Sequence, residues 1–278
     1  MRRFLLALPL AGILGVQLAH ADERNDVPAC YPYAQLTHHQ PAPSGRELVV
    51  IIDETVPMSQ ALKRSAWDSA MRYVRPGDSI RLYQFSAFLQ DHYMKLLFAG
   101  QLDSPLQGKV RNSIGSKSLK QLDGCLQQQA SFFQKTFGQH FAAGFGKPGV
   151  DIARSEILGS LRRITGDFAE RPVRERVVLL VSDMLENSDF SSFYQSNRIR
   201  DIDPGNELNK VRQKNLLADF AGARVYVHGA GLVAGDAKGA YRSGSTLQRL
   251  ERFWGDYLQA SNGSLAAFGA PQLTTDLR

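Results

Sequence analysis

Two uninterrupted apolar runs, each followed by an aspartate, dominate the hydrophobic pattern of the chain. Residues 48–52 (LVVII) precede Asp53, and residues 177–181 (VVLLV) precede Ser182 and Asp183. Short continuous runs of this kind predict central strands of a parallel sheet, because such strands are covered on both faces. In open α/β sheets, ligands bind beyond the carboxyl ends of strands, where the strand order reverses. The pattern thus predicts a fold and the place of a site.

The rest of the chain alternates between short β-type segments and longer amphipathic segments, as one α/β domain does. We expect a doubly wound, mostly parallel sheet with one antiparallel edge strand and helices on both faces, a three-layer sandwich. The predicted strands are Leu48–Ile52, Ser79–Ser86, Tyr93–Phe98, Arg176–Val181, Arg224–His228 and Leu265–Phe268. The predicted helices are Met58–Val74, Leu119–Phe137, Ser155–Ile164, Glu207–Phe220 and Leu247–Ala260, with a glycine-rich loop over residues 138–149.

The start of the chain has the pattern of a secretory signal peptide. Arg2 and Arg3 form a basic region, residues 4–18 are almost wholly apolar, and residues 19–21 (AHA) offer a small-x-small cleavage site. The apolar run is short for a membrane span. We expect residues 1–21 to be removed by cleavage after Ala21, which leaves a soluble exported protein, periplasmic or secreted.

Two segments are expected after cleavage. Residues 22–45 are polar and rich in proline, and predict a lead-in to a domain over residues 46–278. The formal net charge of +6 falls to +4 when the two arginines of the signal are lost. The basic residues are dispersed and lack interleaved aromatics, which is typical of a solvated surface, so we expect no nucleic-acid partner.

The chain has two cysteines, Cys30 and Cys125. In an oxidising compartment, an isolated pair of this kind favours a disulfide, here between the lead-in and a helix or loop of the domain. Two unpaired thiols are the alternative. There is no CxxC motif or Cys/His cluster to suggest zinc.

Hydroxyl groups accompany the two strand-end aspartates. Thr55 follows Asp53 at a spacing of two, and Ser155 begins a helix after the glycine-rich loop. Carboxylates combined with hydroxyls are hard oxygen donors, which suit Mg²⁺, Mn²⁺ or Ca²⁺ better than zinc. The other interpretation is structural: Asp53 and Asp183 satisfy backbone N–H groups at loop starts, as aspartate does in turns.

These residues resemble the metal-ion-dependent adhesion site of the von Willebrand factor A-type domain, over about residues 46–270. That family has an Asp-x-Ser-x-Ser loop after the first strand, a threonine from a second loop, and Thr-Asp-Gly after the fourth strand. The resemblance places Asp53 at the first aspartate, Thr55 at the first hydroxyl, Ser155 at the threonine and residues 182–184 (SDM) at Thr-Asp-Gly. It implies metal ligation by Asp53, Thr55, Ser155 and Asp183.

One position departs from the family pattern. Pro57 stands where the second hydroxyl of the first loop belongs, and a proline offers no hydroxyl. Ser59 and Asp151 are the residues that would supply an additional ligand. Whether the site binds a metal is left open by this departure.

In the family, recognition is ligation: a carboxylate of a partner protein completes the coordination of the metal. The resemblance implies an exported protein-binding module that recognises a protein partner at this edge of the sheet, without catalysis. The alternatives are a metal-assisted hydrolase, with Glu54 or Glu186 as base, and a degenerate scaffold without metal. The residues expected to form the partner surface are Glu54, Glu186, Phe190, Phe193 and Tyr194.

Overall fold

The computed structural model describes residues 24–56, 58–86, 94–145, 155–195, 198–233 and 244–278. Within these residues the chain forms eight strands, seven α-helices and two short 3₁₀ turns. The strands are β1 (Arg46–Asp53), β2 (Ser79–Phe85), β3 (Met94–Gln101), β4 (Glu175–Val181), β5 (Tyr194–Gln195), β6 (Arg198–Ile199), β7 (Arg224–His228) and β8 (Ser264–Gly269). The helices are α1 (Cys30–Tyr33), α2 (Gln60–Tyr73), α3 (Gly108–Ser113), α4 (Ser116–Ala143), α5 (Ile157–Ile164), α6 (Pro204–Gln213) and α7 (Gly244–Ala260).

Six strands form one sheet in the order β3-β2-β1-β4-β7-β8, and β5 pairs with β6 in a separate hairpin. The edge strand β3 runs antiparallel to β2, whereas every other pair in the large sheet is parallel. The strand order reverses between β1 and β4, because the chain moves from β1 towards β3 before it returns to β4. The predicted fold class, a mostly parallel sheet with one antiparallel edge strand, is confirmed.

Each central strand is buried on both faces, as the continuous apolar runs require. In β1, Val49 and Ile51 pack into one core with α5, α6 and α7. Leu48, Val50 and Ile52 face the opposite way, into a second core with α2 and α4. Alternating residues of one strand therefore serve two cores, which produces three layers.

A third, smaller apolar cluster joins the lead-in to the N-terminal half of α4. A disulfide bond links Cys30 of α1 to Cys125 of α4, and Tyr31, Leu106 and Leu122 are buried around it. The predicted pairing of the two cysteines is confirmed. A disulfide fits a protein that resides outside the cytoplasm, where oxidising conditions maintain such bonds. Among the helices of the described residues, none has the length and apolar character needed to cross a membrane.

The predicted loop over residues 138–149 is wrong in its first part, because α4 continues to Ala143. Phe133, Phe137 and Phe141 recur every fourth residue and are buried, so packing of one helical face extends the helix through Gly138. At Gly138 a side chain would lie 3.3 Å from the ring of Trp67. The glycine here permits close packing of α4 on α2 and does not end the helix.

Two further differences concern helix length and short elements. The predicted helix Glu207–Phe220 is observed as α6, which begins at Pro204 and ends at Gln213. It ends early because Asn215 adopts a left-handed conformation, with φ of +52°, a common way to terminate a helix. The short helices α1 and α3 and the β5–β6 hairpin lie in segments without a periodic pattern, and the sequence did not predict them.

Candidate functional site

Asp53 and Asp183 lie at the carboxyl edge of the sheet, where the strand order reverses. Asp53 is the last residue of β1, and Ser182 and Asp183 directly follow β4, the parallel neighbour of β1. Their strands are in register, with Ile52 opposite Val181. The two acidic strand ends that the sequence singled out are therefore adjacent in space, at the position where open α/β sheets bind ligands.

The carboxylate of Asp53 is buried and accepts four hydrogen bonds. Its Oδ1 accepts from the backbone N–H of Thr55 at 3.0 Å and from the Thr55 hydroxyl at 2.6 Å. Its Oδ2 accepts from the hydroxyls of Ser155 and Ser182, both at 3.0 Å. A carboxylate has about four lone-pair positions, so Asp53 is saturated by these donors. The role of Asp53 in this geometry is to orient three hydroxyl groups.

Ser155 reaches the site from a distant part of the chain through backbone pairing. Its N–H donates to the carbonyl of Asn187 at 3.1 Å, and the N–H of Asn187 donates back to Ser155 at 2.8 Å. This bridge fixes the start of the segment that leads into α5 against the loop that follows β4. The hydroxyl of Ser155 is thereby held beside Asp53, 102 positions away in sequence.

Ser182 is the one hydroxyl of this cluster that the sequence-based ligand set omitted. Its Oγ donates to Asp53 and also accepts from the N–H of Met184 at 3.0 Å. Its position directly after β4, at the threonine of the family's Thr-Asp-Gly pattern, was the signal for including it. Met184 has a φ of +62°, which is the conformation that favours the glycine of that pattern. The indole N–H of Trp254 donates to the Met184 carbonyl at 2.8 Å and supports this turn.

Asp183 is buried with fewer partners than Asp53. Its Oδ1 accepts from the N–H of Leu185 at 2.8 Å, and its Oδ2 accepts from the hydroxyl of Tyr194 at 2.6 Å. Burial raises the pKa of Asp183 to about 8, with a further contribution from the negative charge of Asp53. Burial also raises the pKa of Asp53, against the effect of its hydroxyl and backbone donors. The negative charge of Asp53 thus adds to burial in disfavouring the ionisation of Asp183.

This donor set fits a hard divalent cation in its chemistry. Thr55, Ser155 and Ser182 each donate their proton to Asp53, so each keeps acceptor capacity for another partner, although one lone pair of Ser182 already accepts from the N–H of Met184. Asp183 has two donors and retains acceptor capacity. A cation would also compensate the two carboxylates, neither of which forms an ion pair with a described residue. Within the described part of the chain, no three His, Cys, Asp or Glu side chains lie close enough together to hold a metal ion. A cation site at Asp53 and Asp183 would therefore depend on hydroxyl ligands.

The two residues considered as additional ligands are not placed in the site by the structure. The hydroxyl of Ser59 accepts from the N–H of Leu62 at 3.3 Å and caps the N-terminus of α2. Asp151 lies outside the described residues, as does Pro57. The described site therefore consists of Asp53, Thr55, Ser155, Ser182 and Asp183.

Part of the predicted partner surface is wrong, because Glu186 and Phe193 are buried. Glu186 is 1% exposed, and its carboxylate accepts from the N–H of Leu158 at 3.0 Å, at the N-terminus of α5. Burial raises the pKa of Glu186 to about 7. Phe193 packs edge-on against Phe253 with their ring centroids 5.1 Å apart. Both side chains are buried and pack within the fold, so neither forms part of an exposed partner surface. The buried carboxylate of Glu186 is also not accessible to act as a base on a substrate.

The other three residues of that set are only partly exposed. Glu54 accepts from the side-chain amide of Gln84 on β2. Tyr194 is tied to Asp183, and Phe190 packs at the margin of the core. The β5–β6 hairpin that carries Tyr194 therefore closes over the site from one side.

Comparison with known proteins adds little to these observations. No protein-family model and no curated protein matches the chain. Among solved structures, it is similar to the three N-terminal domains of the type V pilus tip protein Mfa5 from Porphyromonas gingivalis, with 17% identity and a TM-score of 0.30. The match covers 52% of this chain and 20% of that one, so only about a fifth of the pilus protein is spanned. A TM-score this low carries no argument. No family is assigned.

Proposed function

We propose that the chain is an exported, protein-binding module of the von Willebrand factor A type, which binds its partner through a divalent cation at the carboxyl edge of the sheet. The observation that carries this proposal is the saturation of Asp53 by three hydroxyls and one backbone N–H, beside a second buried carboxylate. Hydroxyls that donate to one carboxylate lie close to it and keep acceptor capacity, and a hard cation binds oxygen acceptors of this kind.

Three further features support the proposal. The strand order places the site at the reversal point of the sheet, and Met184 has the backbone conformation of the glycine in the family pattern. The disulfide between Cys30 and Cys125 fits the proposed export by a signal peptide over residues 1–21. In the proposed mechanism Thr55, Ser155, Ser182 and Asp183 would hold Mg²⁺, Mn²⁺ or Ca²⁺. The partner supplies a carboxylate oxygen.

Thermal unfolding with and without cation tests the site. We expect Mg²⁺, Mn²⁺ or Ca²⁺ at about 100 times its Kd to raise the Tm of the wild type by about 5 °C or more. In Asp183→Asn the increase in Tm should vanish, because the substitution replaces the carboxylate that retains acceptor capacity for the cation. Asp78→Asn is the matched control, since Asp78 is equally buried but lies at the amino edge of the sheet. It should lower the starting Tm and retain the increase.

The absence of any Tm change with all three cations would overturn the metal-bridged mechanism and favour the degenerate scaffold. Retention of the increase in Asp183→Asn would show that the cation binds elsewhere. The partner is then sought by capture from an exported protein fraction, with and without chelator. Capture that persists unchanged under chelation, or in Asp183→Asn, would contradict a cation bridge.

A further inference from the structure

A half-open cavity of about 300 Å³ lies between α2 and α4, far from the aspartate site. It is formed where α2 ends, where the chain leaves β3, and along the middle of α4. Because β2 begins just after α2, this is the amino edge of the sheet, opposite Asp53 and Asp183. We call it the α2–α4 cavity. Its apolar lining includes Met71, Val74, Leu102, Leu126, Ala130 and Phe133.

The cavity exists because two apolar clusters meet there without filling the space between them. Leu102 and Phe133 belong to the core that covers the sheet, whereas Leu126 belongs to the cluster around the disulfide. The disulfide between Cys30 and Cys125 fixes the wall that carries Leu126. Ligand pockets commonly lie between packed helices, and this volume is at the lower end of their range of roughly 300–1,000 Å³.

The polar groups in the inner part of the cavity are already satisfied by one another. Asp103 accepts from the side-chain amide of Gln40 at 3.0 Å, from the backbone N–H of Cys30 at 2.8 Å and from Gln129 at 2.9 Å. The Gln129 amide also donates to the carbonyl of Pro28 at 2.7 Å and accepts from the Asp103 N–H at 3.0 Å. The inner surface therefore offers no open donor, so it suits an apolar group.

Arg75 supplies the charge at the mouth of the cavity. Its Nη1 donates to the carbonyls of Arg72 at 2.7 Å and Val74 at 2.9 Å, so the guanidinium is anchored to the C-terminal end of α2. Its Nε and Nη2 donate to no acceptor in the described part of the chain. An anchored guanidinium with one free edge is arranged to receive a carboxylate through two parallel hydrogen bonds.

We propose that the α2–α4 cavity binds a small amphiphilic carboxylate, with its apolar body against Phe133 and Leu102 and its carboxylate on Arg75. A cavity of roughly 150 Å³ holds one six-carbon benzene ring, so about twice that volume has room for an apolar body of roughly eight carbons. The positive charge that pairs with this carboxylate is the guanidinium of Arg75 at the mouth. This site is independent of the cation site at the other edge.

Calorimetric titration with three eight-carbon probes tests the proposal. Octanoate should bind saturably, and more tightly than 1-octanol or octylamine. In Arg75→Gln, octanoate affinity should fall about threefold to fivefold, the range expected for one partly exposed ion pair, while 1-octanol affinity stays unchanged. Arg75→Lys should restore part of the loss. Arg64→Gln, at an exposed arginine within α2, is the control and should change neither affinity.

A second variant tests the cavity itself. Ala130→Phe places a ring in the cavity from an exposed position on α4 and should weaken octanoate binding at least about tenfold by occupying the space of its apolar body. Ala142→Phe adds the same ring to the same helix away from the cavity and should leave binding intact. Absence of saturable octanoate binding by the folded wild type overturns the proposal. So does binding that Ala130→Phe leaves unchanged, or a preference for octylamine.

Discussion

Asp183 is a buried carboxyl group whose protonation changes on folding. Its pKa in the folded protein is about 8, against an ordinary value of 3.8, because the carboxyl group is buried beside Asp53. Between these two values the folded protein holds a proton that the unfolded chain has released. The contribution of Asp183 to folding stability therefore falls as pH rises from about 4 to about 8, by at most about 1.4 kcal/mol per pH unit.

The variant Asp183→Asn removes this titration and tests it. We expect the free energy of unfolding of the wild type to decline over this pH range without divalent cations, and the variant to decline less. The two should differ most near pH 8, where Asp183→Asn should be the more stable protein. Urea unfolding at several pH values, in the presence of chelator, measures both. Parallel pH profiles would show that Asp183 is ionised in the folded state throughout.

The same proton links pH to cation binding. A cation that uses Asp183 must displace the proton, so its affinity should increase as pH rises towards 8. Titration with Mg²⁺ in two buffers of different ionisation enthalpy would show this proton release. An affinity that is constant between pH 6 and pH 8 would place the cation away from Asp183.

At the scale of secondary structure elements, a buried ionic cluster ties three strands to the segment before β4. Glu47 at the start of β1 binds Arg171 and Arg176 through its two oxygens, and Arg81 of β2 lies 3.4 Å from it. The guanidinium of Arg176 also stacks on Phe168, 4.3 Å from the ring centroid. One carboxylate thus neutralises charge contributed by several arginines that are largely removed from water.

Glu47→Gln should be strongly destabilising, because it leaves buried arginine charge without its partner. Breaking a buried ion pair from one side costs about 3–5 kcal/mol. Chemical denaturation of the variant should show a loss of this size, with the m-value unchanged. Glu251→Gln, at an exposed glutamate of α7, is the control and should stay within about 0.5 kcal/mol of the wild type. A loss below about 1 kcal/mol for Glu47→Gln would mean that water reaches the cluster.

At the scale of the whole molecule, one covalent bond attaches the lead-in to the domain. Cys30 and Cys125 are separated by 95 positions, so the disulfide closes a long loop in the unfolded chain. By loop entropy, a crosslink over this length stabilises the folded state by about 4–5 kcal/mol. The double variant Cys30→Ser/Cys125→Ser should lose stability by that order, measured by denaturant unfolding against the oxidised wild type.

Reduction of the wild type provides the matching measurement, since it breaks the bond without altering side-chain volume. It should lower stability by a similar amount and loosen α1 first, which amide hydrogen exchange would detect over residues 30–36. A double variant as stable as the wild type would show that the buried cluster around Tyr31 and Leu122 suffices to hold the lead-in.

The sequence by itself determined the features that depend on local pattern. Continuous apolar runs predicted β1 and β4 within two residues at each end, and short β-type segments predicted β2 and the antiparallel edge strand β3. The position of Asp53 and Asp183 at strand ends followed from the same runs. These features are local because a strand buried on both faces needs consecutive apolar residues, and its end is marked by the first polar one.

Only the tertiary structure decided which distant residues meet and which side chains are buried. Ser155 joins Asp53 because a backbone bridge to Asn187 holds it there, and no local pattern encodes that pairing. Glu186 and Phe193 resemble exposed loop residues in sequence, yet one caps α5 and the other packs on Phe253. Gly138 resembles a helix end, but packing against Trp67 continues α4 through it. Contacts between remote segments outweigh local preference at these positions, since burial contributes more free energy than propensity.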